Sequence, residues 1–157
     1  MKYCNIQWNS ETKKKEVTFG DTWGAMPKSE ANGSFTQTGS GLVVVDVDRK
    51  DDLPSWLSGC SPTIETARGY HYYFKSDDAF RTMSDFEDGV DIRGERGVVF
   101  DGYWGESKHI SYEKVGKVGK LPVSIKGILP PHTKKERLKK GLDKPCLLYT
   151  SPSPRDS

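Results

Sequence analysis

The sequence predicts an α+β fold in which strands outnumber helices. That expectation rests on three features. Residues 42–47 (Leu-Val-Val-Val-Asp-Val) are a continuous, β-branched run bounded by glycine and by charge, as in a central strand covered on both faces. Several shorter strand-like segments follow, punctuated by Gly, Asn and Asp turn signals. Helical patterns are confined to brief stretches, and no internal repeat is present. With 157 residues there is room for one domain and little more.

The first forty residues are polar, with Trp8, Val17, Phe19 and Trp23 as anchors. Asn32-Gly33-Ser34 and Thr38-Gly39-Ser40-Gly41 read as turns. The strand from Leu42 carries Asp46 and Asp48 at its end. Leu53 to Leu57 predicts a short helix, with Pro54 tolerated in its first turn. Thr63 to Ala67 and Tyr70 to Lys75 read as two strands joined by an Arg68-Gly69 turn, and Asp77 to Phe86 as a helix. Val90 to Arg93 and Val98 to Phe100 flank Gly94-Glu95-Arg96-Gly97, which predicts a hairpin. Thr133 to Glu136 fits a capping box and Gly141 a C-terminal stop, giving a short basic helix.

Residues 146–157 break with the lysine-rich composition before them. They look like the translation of a sequencing-library adapter and are set aside from fold reasoning. The expected organisation is therefore a domain over residues 1–130, a basic helix or linker over 131–145, and an artefactual tail, with the natural chain continuing past about Pro145.

No apolar run approaches the roughly 20 residues that cross a bilayer, and the polar N-terminus lacks a signal-peptide core. A cytoplasmic protein with no membrane partner is expected. Cys4, Cys60 and Cys146 are widely separated, which argues against a disulfide framework and a Cys-rich zinc site. A mixed zinc site using His109 or His132 has no support in the spacing. The net charge of +2 conceals an asymmetry: Asp46 to Glu106 holds 14 acidic and 7 basic residues, whereas Lys108 to Lys144 holds 11 basic and 3 acidic. An acidic middle suits metal cations, and a basic flank suits a polyanion.

Strand alternation places Asp46 and Asp48 on one face, with Val45 and Val47 on the other. Adjacent carboxylates repel each other, and a divalent cation such as Mg²⁺ or Mn²⁺ offsets that repulsion. An EF-hand does not fit, because Lys50 would stand at a ligand position and Asp51 at the turn glycine. His71 and Tyr73 share a strand face opposite the apolar Tyr70, Tyr72 and Phe74, with Gly69 leaving room for a ligand to approach the backbone. Asp91 and Arg93 share a face, with Val90 and Ile92 opposite. Each of these motifs also has an ordinary structural explanation: a solvated strand end, a structural histidine, a salt bridge.

Together, Gly41-Leu-Val-Val-Val-Asp46-Val-Asp48, Gly69-Tyr70-His71-Tyr-Tyr-Phe74 and Val90-Asp91-Ile92-Arg93-Gly94 resemble the archaeo-eukaryotic primase superfamily. Within it they resemble the bifunctional DNA primase–polymerase domains of phages, plasmids and mobile elements. The resemblance covers about residues 30–105. It implies an RRM-like sheet with flanking helices, and a metal-dependent nucleotidyltransferase that starts or extends DNA on a single-stranded template. Asp46, Asp48 and Asp91 would hold two Mg²⁺ or Mn²⁺ ions. His71 would contact the phosphates of an incoming NTP or dNTP, joined by Arg68 and Arg93. Lys108 to Lys144 would hold template backbone. A fused or separate helicase is a further implied partner; no Walker A motif occurs in this chain, because Gly116 to Lys120 has the wrong spacing.

Two other readings stay open. Nucleotide-sugar glycosyltransferases also end a strand in Asp-x-Asp, but they need a nucleotide-binding region before it that forty polar residues cannot supply. A non-catalytic nucleic-acid-binding module would keep the sheet and the basic flank without the chemistry.

Overall fold

Alternating side chains build the first sheet. In β1 (Lys2–Asn9), Cys4 and Ile6 point inward and are buried. β2 (Lys14–Thr18) folds back on it antiparallel, and β3 (Gly33–Gln37) pairs on its other side. This computed structural model describes residues 2–19 and 26–132. β4 (Leu42–Val47), β5 (Ile64–Thr66), β6 (Tyr70–Lys75), β7 (Met83–Glu87) and β8 (Val90–Arg93) belong to a second sheet. β9 (Val98–Tyr103) returns to the first, and β10 (Tyr112–Lys114) and β11 (Gly119–Lys120) return to the second. A single turn of helix, α1 (Val123–Lys126), follows.

The strand orders are β2-β1-β3-β9 and β10-β5-β6-β4-β8-β7, with β11 beside β6. The β6–β11 contact is the parallel pairing among these strands, and the other pairs are antiparallel. β4 is central and covered on both faces, as its β-branched run predicts. On one face Val43, Val45 and Val47 join Tyr72, Phe74, Val90 and Ile92 beneath Leu57, Leu121, Ile125 and Leu129. On the other, Val44 and Tyr73 pack with Ile64 and Val99, where the two sheets meet. Asp101 of β9 ties this joint together: its carboxylate accepts hydrogen bonds from Ser34 (2.8 Å) and Thr36 (2.5 Å) of β3 and from Tyr73 (3.4 Å) of β6.

The expected α+β, RRM-like fold with flanking helices is not what forms. The chain is nearly all antiparallel β-sheet, and α1 is the one α-helix among the described residues. The helix expected over residues 77–86 is instead the edge strand β7, because Met83 and Glu87 find partners in Ile92 and Val90. Non-local pairing overrides local helical pattern there. Leu53 to Leu57 tightens into a 3-10 turn at Ser55–Leu57. Strands β8 and β9 do not form a hairpin; Gly94 to Gly97 carries the chain from one sheet to the other. Gly33 and Ser34 open β3 rather than a turn. The polar first forty residues contain three strands, β1 to β3. Trp23 and the basic helix expected near residues 133–141 lie outside the described residues, as does the 146–157 tail.

Gly69 leaves room for the chain itself rather than for a ligand. A Cβ at this position would run into the carbonyl oxygen of Val47 and the amide of Arg49. Backbone cannot yield as a side-chain tip can, so Gly69→Ala is expected to cost about 1–3 kcal/mol. Gly127 has no atom within 4 Å of an added Cβ and an ordinary negative φ of −74°. Gly127→Ala should therefore be neutral or stabilising by up to about 1 kcal/mol, through the unfolded chain. Urea midpoints at unchanged slope would check both.

Candidate active site

The register of β4 against its two neighbours assembles the site. Asp46 stands opposite His71 of β6 and, on its other side, opposite Asp91 of β8. In a sheet, directly opposed residues share a face, so three motifs distant in sequence form one row across three strands. Asp48, two residues beyond Asp46, lies on the same face just past the end of β4.

Each carboxylate in the row faces a basic side chain. His71 Nε2 lies 3.3 Å from Asp46 Oδ1, Arg68 3.3 Å from Asp48, and Arg93 3.1 Å from Asp91. Asp91 also accepts the backbone N–H of Asp85 at 2.8 Å, where β7 slips register against β8 and Asp85 adopts a φ of +55°. That irregularity is thereby tied to the site. His71 is buried at 4% exposure, and its Nδ1 has no hydrogen-bond partner. Burial alone would raise the pKa of Asp46. The hydrogen bond and charge of His71, with Arg93 and Lys15, outweigh it and hold the carboxyl below its ordinary value.

A cleft of about 400 Å³ opens over the row. Asp46, Asp48, Arg68, His71 and Asp91 line it; Arg93 does not, although it pairs with Asp91. The opposing wall comes from the β1–β2 hairpin (Trp8, Lys13, Lys14 and Lys15), from His109 before β10 and from Tyr112 at the start of β10. Trp8 and His109 stack at 4.5 Å between centroids and 15° between planes. His109 is a ring partner of Trp8 here. Lys15 donates to the Tyr112 hydroxyl at 2.6 Å, and the Tyr112 ring packs against that of His71. Burial pushes the Tyr112 hydroxyl pKa up, with Asp46 adding to it. Lys15 and Tyr112 escape a sequence reading. A Lys13-Lys14-Lys15 run looks like a solvated turn, and only the pairing of Trp8 with Lys15 turns that side chain inward.

Aspartates aligned with a histidine, in a cleft shared with lysines and an arginine, are the makings of a phosphate-handling site. Residues 4–123 match the family model for the bifunctional DNA primase/polymerase N-terminal domain, and the chain belongs to that family. It is accordingly a nucleotidyltransferase domain of the primase/polymerase type. No curated protein and no solved structure matches the chain. No helix among the described residues is long and apolar enough to cross a membrane.

The donor chemistry fits a hard divalent ion. Three aspartates offer oxygen ligands on one face of neighbouring strands, the set that Mg²⁺ or Mn²⁺ prefers. Each carboxylate is turned to its own basic partner, and no three His, Cys, Asp or Glu side chains converge on one point among the described residues.

The depressed pKa of Asp46 links the site to stability. Its ionised form stabilises the fold above the unfolded value of about 3.9, and that contribution disappears as pH falls through the lower folded value. The stability lost in Asp46→Asn should accordingly be larger at pH 7 than at pH 3, as urea unfolding of both proteins across that range would reveal.

Proposed function

We propose that the chain is a metal-dependent DNA primase–polymerase that synthesises primers, extends them, or does both on a single-stranded template. The observation that carries this reading is the row itself, with Asp46 flanked in register by His71 and Asp91 and followed by Asp48 on the same face. Asp46, Asp48 and Asp91 would hold Mg²⁺ or Mn²⁺, which supplies activation of the attacking 3′-hydroxyl and charge neutralisation at the leaving pyrophosphate.

The protein's own part is binding, orientation and electrostatics. Carboxylates that turn toward the cleft leave Arg68 and Arg93 without their present partners, and a guanidinium so released is matched to a phosphate. His71, fixed by burial and by Asp46, can hold one orientation toward a triphosphate without rotamer loss. Residues 1–130 would form the catalytic unit, with the basic segment from Lys108 holding template backbone. A cytoplasmic setting in the replication of a phage, plasmid or other mobile element, beside a helicase, is what the resemblance of the motifs implies.

The test is incorporation of labelled nucleotide on primed and unprimed single-stranded templates, with Mn²⁺ or Mg²⁺ and with chelator. The Asp46→Ala, Asp48→Ala double variant should lose about 10²-fold or more of the incorporation, since it removes charge stabilisation at the reacting phosphate. Product in the unprimed lane would add priming to extension. A folded protein with neither incorporation nor metal-dependent nucleotide binding would sink the enzyme reading and leave a nucleic-acid-binding module.

A further inference from the structure

We propose that Lys15, carried across the cleft by the β1–β2 hairpin, is a binding residue for the nucleotide's triphosphate, and that Tyr112 positions it. This rests on the nucleotidyltransferase reading above and adds a residue from the opposite sheet to the carboxylate wall. In the β1–β2 register Ile6 opposes Val17 and Trp8 opposes Lys15, so these four side chains share one face of the hairpin. Ile6 and Val17 pack into the core of the first sheet, whereas Trp8 and Lys15 emerge into the cleft with Asp46 and Asp48.

The tether is specific. The Lys15 ammonium donates to the Tyr112 hydroxyl at 2.6 Å, and the Tyr112 ring contacts the His71 ring at 5.9 Å between centroids. One side chain therefore connects the lysine to the Asp46–His71 pair. Tyrosine is a neutral acceptor, so it fixes the ammonium without cancelling its charge. Arg68 and Arg93 each sit 3.1–3.3 Å from a carboxylate, but Lys15 has no ion pair within 4 Å among the described residues. Burial pushes its pKa down, while Asp46 and Asp48 push it back up. The side chain is exposed to solvent at the cleft mouth, and an ammonium that lacks a close counter-ion is available to an anionic ligand.

A triphosphate suits this position better than a template backbone. Lys15 faces the inner row where Asp46 and Asp48 stand, and a nucleoside triphosphate concentrates several charges at one point, whereas a strand spreads one charge over each nucleotide. Four carboxylates and four Lys or Arg residues line the cleft. Two divalent ions bound at the row would leave an excess of about four positive charges, close to the charge of a triphosphate.

The experiment is calorimetric titration of the full chain with ATP and dATP in the presence of Mn²⁺. AMP and a single-stranded oligonucleotide serve as comparison ligands. Lys15→Ala should weaken triphosphate binding about tenfold or more, the loss of one charge-assisted hydrogen bond, while leaving AMP and oligonucleotide affinity within about twofold. Lys15→Arg should recover most of the loss, and Tyr112→Phe should show a smaller loss with the same preference for triphosphate over AMP. Unchanged thermal midpoints would separate these effects from misfolding. Wild-type affinity for triphosphate in Lys15→Ala overturns the proposal, and so does an equal loss for oligonucleotide, which would assign the lysine to template backbone. If the wild-type protein itself binds no triphosphate with Mn²⁺, the nucleotidyltransferase reading fails and the proposal falls with it.

Discussion

The structure depends on the register of one strand. β4 pairs with β6 on one side and β8 on the other, and both pairings bring their polar residue to the same position, opposite Asp46. The valines on alternate positions enforce this. Val43, Val45 and Val47 are buried against one apolar cluster and Val44 against another. A slip of one residue in either pairing would drive Asp46 into a core and turn a valine toward the cleft. The chemistry of the row is thus held by the same hydrophobic burial that stabilises the sheet.

Carboxylates brought so close would destabilise the fold if left alone, and the basic side chains beside them are the compensation. His71 and Arg93 come from the partner strands and Arg68 from the turn that leads into β6, so the pairings that align the aspartates also deliver their basic partners. The second sheet alone would leave this face open. Asp101 closes it by binding hydroxyls of Ser34, Thr36 and Tyr73, which locks β3 and β9 against β6 and sets the hairpin wall across from the row. The cleft is the space left where the sheets diverge beyond that joint.

Much of the row was legible in the sequence and the remainder of the fold was not. The β-branched run at Leu42–Val47 and the aromatic alternation at Tyr70–Lys75 state their own faces, because burial on both sides demands apolar residues at successive positions. That Asp46, Asp48, His71 and Asp91 would stand on a polar face followed from alternation; that three of them would stand in one line did not, since register is a property of pairs. β7 and β2 were hidden for the opposite reason. Met83–Glu87 and Lys14–Thr18 are edge strands with mostly exposed side chains, so their sequences carry little apolar periodicity. Lys15 belongs to the same class: its direction is set by Trp8 across the hairpin, not by its neighbours in the chain.

The near balance of charge in the cleft bears on how it could be filled. A divalent ion alone would draw carboxylates from their arginines and leave those cations without partners. A triphosphate alone would compete for cations and leave the aspartates repelling one another. On the proposed reading, a metal–nucleotide complex satisfies both sets at once: oxygens of Asp46, Asp48 and Asp91 exchange a cation for a metal, and Arg68, Arg93 and Lys15 take phosphate oxygens in its place. Each half of that exchange on its own separates a charged group from its partner. The ion-paired state is therefore the expected resting arrangement of such a cleft, and binding of metal and nucleotide should be mutually reinforcing, by the same coupling free energy in either order.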